Sequence, residues 1–276
     1  MSTIKNLLAV LSDANAGRRV LETTLAAQRH LDCHIDALHV RPDPIAGLPL
    51  VGEAMAGSMV EEMMNIAEKE SGARAKTVRA MYDGLVAGNP RTSWIEATGA
   101  EDQTVAVRAS RADLIVLARP TRDNETAAVV TLNAALMQSG RPVLATPPGA
   151  GAAPRFARIA IFWNGSTEAT RAVTAALPFL VRAERVTVLR VQEEEWFAPT
   201  EDLEAYLGHH GVAMELAKVP PGQTRTGPAL LAATAEAGAD MMVMGAYTRS
   251  KLRQLMLGSV TGHVMQHAAL PVLLCR

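Results

Sequence analysis

An internal repeat constrains this chain of 276 residues more than any other feature. The segment ADLIVLA at 112–118 returns in the second half as ADMMVMG at 239–245. In the same way, RPVLAT at 141–146 returns as LPVLLC at 270–275. Because a sequence repeated at a nearly constant offset forms the same structural unit each time, the chain is predicted to contain two similar units.

The boundary between the units is predicted at residues 146–154, which read TPPGAGAAP. Clustered proline and glycine interrupt both helical and strand patterns, so this stretch indicates a linker. We therefore expect a first domain at 1–147 and a second domain at 155–276.

Each half alternates short apolar runs with helical patterns. Continuous apolar runs of this length are typical of strands buried on both faces. Strands separated by helices imply an open parallel sheet covered on both sides. The sequence thus predicts an α/β fold with two tandem, open, five-stranded parallel sheets of the Rossmann-like class. The expected strands lie near residues 4–12, 34–40, 91–98, 113–119, 141–146, 158–164, 185–191, 212–219, 240–246 and 271–275.

The clearest helical pattern runs from Ala54 to Glu70, where Met55, Met59 and Met63 recur every four residues. This spacing places the methionines on one face of a helix. Methionine-rich surfaces can bind varied partners, but we expect this face to pack into the core, where methionine fills irregular gaps.

Composition excludes several functional classes. The formal net charge of −1 produces no overall field that favours nucleic acid or an anionic membrane. Two cysteines, Cys33 and Cys275, make no disulfide framework and no metal-binding or redox pair. No apolar stretch approaches the roughly 18–20 residues of a membrane span, and the early run Leu7–Leu11 is too short for a signal peptide. We expect a cytoplasmic protein.

One segment near the C-terminus has the chemistry to bind phosphate. An apolar strand ends at Gly245, basic residues follow, and Gly258-Ser259 opens a helix that continues through Val260. Glycine lets the backbone approach an anion, and the amides at a helix start point toward it with the positive end of the dipole. Cations in the loop, among them Arg249, can balance phosphate charge.

This spacing resembles the universal stress protein family, whose loop reads G-x-x-G, nine residues, then G-[S/T]. Gly245 matches the first glycine, nine residues separate position 248 from Gly258, and Ser259 follows. The resemblance covers both halves. It implies an adenine-nucleotide α-hydrolase-like fold, with the halves related by a pseudo-two-fold axis and the strands at 143–146 and 272–275 meeting across it.

The resemblance also implies a stress-response module that binds ATP, with or without Mg²⁺. It further implies an intramolecular pseudo-dimer that can self-associate or meet a protein partner the sequence does not name. Hydrolysis, if any, would be slow, because the loop offers no general base. The expected nucleotide-binding residues are Asn164, Val191, Gly245, Thr248, Arg249, Gly258, Ser259 and Val260.

Two departures from the family pattern weaken the expected site. Thr248 replaces the second glycine, and a β-branched residue resists the positive φ that glycine allows. Asn164 stands after the first strand of the second half, where the family tends to carry aspartate, so it offers hydrogen bonds without charge. A non-enzymatic interaction scaffold with no nucleotide site is the alternative.

The first half has lost the phosphate loop. Val129 and Val130 stand at the counterparts of Gly258 and Ser259, and neither supplies a donor or an open backbone. Arg119 and Arg122 nearby leave two interpretations open, a different anion or a structural role. In the second half, His263 and His267 have the spacing of a zinc pair but no evident third ligand, so a helical surface is expected there.

Overall fold

The computed structural model describes residues 4–43, 57–121, 125–149, 151–191, 199–219, 226–246 and 259–276. The strands are β1 (Asn6–Val10), β2 (His34–Arg41), β3 (Thr92–Thr98), β4 (Leu114–Ala118), β5 (Val143–Thr146), β6 (Arg158–Phe162), β7 (Arg185–Val191), β8 (Glu215–Val219), β9 (Met241–Gly245) and β10 (Val272–Cys275). The helices are α1 (Ala14–Leu31), α2 (Gly57–Val86), α3 (Glu101–Ala109), α4 (Glu125–Gln138), α5 (Thr167–Leu180), α6 (Thr200–His209), α7 (Thr226–Glu236) and α8 (Ser259–His267). Each predicted strand overlaps one observed strand, which confirms the α/β fold.

The two halves join edge to edge in one ten-stranded sheet with the order β3-β2-β1-β4-β5-β10-β9-β6-β7-β8. Strands within each half are parallel, and the halves meet where β5 pairs with β10 in antiparallel orientation. This confirms the expected meeting of these strands, although one continuous sheet replaces two separate ones.

The register of the seam has two-fold symmetry. Leu144 lies opposite Leu273, and these two leucines are also equivalent positions of the repeated segments RPVLAT and LPVLLC. A residue faces its own equivalent only on a two-fold axis, so the pseudo-axis passes between these two leucines.

Side chains alternate along the strands into two apolar layers. The layer that contains Leu7, Leu144 and Leu273 packs against α1, α2, α5 and α6. The layer that contains Leu8 and Leu274 packs against α3, α4, α7 and α8. Because both layers continue across the seam, the two halves share their cores.

The prediction for the methionine pattern is wrong. Met59 and Met63 are 54% and 39% exposed, and Met55 lies outside the described residues. In the described part of α2, buried side chains begin only at Ser71 and continue to positions such as Val78. The helix has 30 residues and spans about 45 Å, whereas β2 has 8 residues and spans about 26 Å. The sheet is therefore too short to cover the whole helix.

Candidate functional site

The sheet of the second half reverses its winding direction at β6. This strand lies between β9 and β7, and the chain leaves it toward β7 and later returns to β9 on the other side. Open α/β sheets bind ligands in the crevice beyond the carboxyl ends of strands at such a switch point. The predicted residues Asn164, Val191 and Gly245 all lie at the carboxyl ends of these strands.

Asn164 holds the turn between β6 and α5. Its side-chain oxygen accepts a hydrogen bond from the Ser166 backbone nitrogen at 3.2 Å. Gly165 has a φ of +68°, which glycine adopts without strain. The Asn164 side-chain nitrogen has no hydrogen bond to any residue that the structure describes. Asn164 therefore presents a neutral donor at the sheet edge, as its residue type predicts.

Gly245 has a packing reason to be glycine. A Cβ atom there would lie 2.6 Å from the Ala169 nitrogen and 2.8 Å from the Glu168 carbonyl carbon. Both are backbone atoms in the first turn of α5, so they cannot move aside like a flexible side chain. The sequence assigned Gly245 to phosphate approach, whereas the structure shows that it lets α5 press against the end of β9.

Helix α8 directs its N-terminus to the same edge. Strands β9 and β10 are parallel, so the connection between them must return from the carboxyl edge to the amino edge. Because α8 directly precedes β10, its start at Ser259 and Val260 is the end nearer the carboxyl edge. The positive end of the helix dipole therefore lies on the side of the sheet where an anion would bind.

The structure covers only part of the predicted set. Val191 is buried at the end of β7, and Val260 is half-buried in the first turn of α8. Thr248, Arg249 and Gly258 lie outside the described residues. The described residues thus place Asn164, Gly245 and the start of α8 on the same side of the sheet, beyond or at the carboxyl ends of its strands.

The first half uses the equivalent positions for structure. Asp13 caps α1, its side chain accepting hydrogen bonds from the Asn15 and Ala16 nitrogens at 2.8 and 2.9 Å. Val129 and Val130 lie inside α4 rather than at a helix start. The aspartate that follows the first strand of this half is therefore an N-terminal cap.

Arg119 settles the question that the sequence left open for its loop, because it has a structural role across the two halves. The residue is 2% exposed, and its guanidinium donates to the carbonyl oxygens of Val264, at 3.0 Å, and Ala268. Burial lowers the pKa of Arg119 to about 10, so the group stays charged at neutral pH. Arg122 lies outside the described residues.

The histidine pair on α8 is a packed surface. The His263 and His267 rings stack with centroids 4.2 Å apart, and His263 lies against α7 so closely that a Cβ atom at Gly227 would meet it at 2.8 Å. Among the described residues, no group of three or more potential metal ligands comes together. None of the described helices is long and apolar enough to cross a bilayer.

Comparison with known proteins identifies the second half at the sequence level. A sequence model of the universal stress protein family matches residues 155–276. No curated protein matches the chain.

Solved structures show the same fold over nearly the whole chain. A universal stress protein from Archaeoglobus fulgidus DSM 4304 is 18% identical, with a TM-score of 0.69 over 98% of this chain and 96% of that one. A provisionally assigned universal stress protein from Pseudomonas aeruginosa UCBPP-PA14 is 13% identical, with a TM-score of 0.57 over 99% of this chain and 93% of that one. The likeness therefore extends to the first half as a matter of fold.

Proposed function

We propose that the second half of this chain, residues 155–276, which matches the sequence model of the universal stress protein family, binds an adenine nucleotide, ATP with Mg²⁺, beyond the carboxyl ends of β6 and β9. The first half is a second unit of the same kind that binds no nucleotide. The chain acts as a tandem stress-response module in the cytoplasm, and its nucleotide is a signal rather than a rapidly consumed substrate.

One observation carries this proposal. A strand ending in glycine, a neutral hydrogen-bonding side chain and a helix start lie around one switch point in the second half. Gly245, Asn164 and the start of α8 supply these three elements. Backbone amides at a helix start suit phosphate, and an uncharged donor suits a base or a ribose hydroxyl.

Two substitutions in the loop test the proposal by calorimetry with ATP and Mg²⁺. Gly258→Val should abolish binding, because a branched side chain blocks the approach of phosphate to the backbone. Thr248→Gly should strengthen binding by restoring the second glycine of the family's loop. A threonine held at positive φ costs about 1–3 kcal/mol, so the gain should be about 5- to 150-fold.

The matched control is Gly84→Val, the same change on α2 of the first half. A Cβ atom at Gly84 meets nothing within 4 Å, so this variant should bind ATP like the wild type. If wild type and Thr248→Gly both fail to bind up to millimolar ATP, the nucleotide proposal is wrong.

A non-enzymatic interaction scaffold is the second candidate, and two observations favour it. The packing of α5 on β9 accounts for Gly245 without any ligand. The exposed residues Met59, Met63 and Ile66 also form an apolar stripe on the uncovered half of α2. Absence of nucleotide binding in the titrations would leave this function in place.

A further inference from the structure

Arg119, which lies in the first half, contacts a helix of the second half. It directly follows β4, and its guanidinium contacts carbonyl oxygens at the C-terminal end of α8, those of Val264 and Ala268. These partners lie 145 and 149 residues further along the chain. The contact therefore spans the seam between the halves.

This contact fixes α8 because the charged guanidinium of Arg119 is buried and its described hydrogen bonds go to these two carbonyl groups. Loss of solvent around the buried guanidinium lowers the pKa of Arg119. The buried Nε atom has no hydrogen-bond partner among the described residues. A buried guanidinium is costly unless it is paired, and here the pairing comes from carbonyl groups at the negative end of a helix dipole. Any displacement of α8 would leave the charge buried without these partners.

The position equivalent to Arg119 in the second half cannot make the reverse contact with α4. The residue that follows the repeated segment ADLIVLA is Arg119, and the residue that follows ADMMVMG is Ala246, which is fully buried and has no polar side chain. At the C-terminal end of α4, the Ser139 hydroxyl donates to the Ala135 carbonyl instead. Of these two equivalent positions, Arg119 is thus the one that holds a helix of the other half with a cation.

We infer that Arg119 is a positioning residue for the nucleotide site, an inference that rests on the proposed function. By holding the C-terminal end of α8, Arg119 keeps the start of the same helix, at Ser259, on the carboxyl side of the sheet. The first half thereby forms part of a site in which it contacts no nucleotide. The part of the ligand that depends on Arg119 is the phosphate chain, because the helix start serves the phosphates and Asn164 serves the nucleoside.

The test compares ATP with adenosine in Arg119→Met, Arg119→Lys and Arg19→Met. Methionine fills similar space without charge. Arg19 is the matched control, since it is also buried and donates to two backbone carbonyls, those of Gly151 and Ala152 in the linker. Affinity for ATP is measured by calorimetry and affinity for adenosine by ligand-observed NMR.

Arg119→Met should weaken ATP binding about tenfold, within the usual range of coupling between sites, and leave adenosine binding within about twofold. Arg119→Lys keeps the charge but has one ammonium group to bond two carbonyls, so its loss should be smaller. Arg19→Met should leave both affinities unchanged. An equal loss for ATP and adenosine, or no loss for ATP, would overturn the inference.

Amide hydrogen exchange without nucleotide separates this inference from the proposed function. Arg119→Met should lower the protection of α8 amides relative to those of α5, and Arg19→Met should not. Unchanged protection of α8 would overturn the positioning role whether or not ATP binds. Lowered protection in a protein that binds no ATP would refute the nucleotide proposal, and with it the role of Arg119 in that site, leaving a structural role alone.

Discussion

Helices α4 and α8 occupy equivalent places in the two halves, but they begin at different positions. This difference shows that one fold can present two different carboxyl edges. When the halves are aligned on RPVLAT and LPVLLC, Ser259 at the start of α8 corresponds to Val130, yet α4 already begins at Glu125. In this alignment, α4 thus begins before the position that is equivalent to the start of α8. A helix interior has no unpaired amides to offer an anion.

The residues near the carboxyl edge also differ between the two halves. In the first half, the side chain after β4 is Arg119, which serves the neighbouring half, and Asp13 caps α1. In the second half, the cap of α5 is Ser166, and Asn164 is left at the edge. The comparison teaches that equivalent positions can make different contacts in the two halves, while the strand order of the sheet beneath them is the same.

The largest expected difference between the halves is the presence or absence of a site. Calorimetry should give one ATP per chain. The double variant Val129→Gly, Val130→Ser should still bind one, because these positions lie inside α4 and Arg119 remains committed to α8. A stoichiometry of two in either protein would show that the first half retains a site.

The next effect concerns how closely a helix packs on the fourth strand of each half. Gly245→Ala should lower the free energy of unfolding by about 3 kcal/mol, because the new methyl group meets the α5 backbone at 2.6 Å. The counterpart, Ala118→Gly, should cost about 1 kcal/mol, since it adds backbone freedom and removes one partly buried methyl group. Urea unfolding followed by circular dichroism measures both. Equal losses would mean that the two helices approach their strands alike.

The smallest effect is a pH dependence at the contact between α1 and α5. The ring of His30 packs between Phe156 and Phe179, with centroids 5.8 Å from each, and burial lowers the pKa of His30 below 6.5. Arg182 lowers this pKa further, and Asp240 and a hydrogen bond to the Phe179 backbone partly oppose the shift.

The sign of the pH effect follows from proton uptake. Near and below pH 6.5 the unfolded chain binds a proton at His30 more readily than the folded chain does. The free energy of unfolding therefore decreases as the pH is lowered, until the pH passes below the folded pKa of His30. His30→Gln should therefore lose less stability than the wild type between pH 7 and pH 5, measured by urea unfolding. The same change at exposed His209 is the control. Parallel pH profiles for wild type and His30→Gln would contradict the prediction.

The strands were predictable because burial on both faces leaves a direct trace in the sequence. A run such as LIVLA in β4 has no polar face, and a length of five residues is too short for most helices. The extent of α2 was not predictable in the same way. Periodic Met59 and Met63 indicate an apolar face but not whether a neighbour covers it, and the first half of α2 extends past the sheet.

The location of the candidate site was predictable from the sequence, but the roles of its residues were less so. Spacing identified Gly245, but spacing cannot distinguish room for phosphate from room for the first turn of α5. Arg119 was harder, because its partners lie about half the chain away and belong to the other repeat. Nothing in the local sequence of a basic residue tells which distant carbonyl groups it will meet.

The pairing of Leu144 with Leu273 across the seam has a consequence for how this protein can change over time. When two identical chains meet on a two-fold axis, every substitution appears on both sides of it. Here both sides belong to one polypeptide, so a mutation appears once. The contact of Arg119 with α8 depends on this independence of the two halves, because a symmetric assembly of two identical chains would bury two such guanidinium groups. Covalent fusion thus allows the two halves to specialise independently while they keep a common sheet.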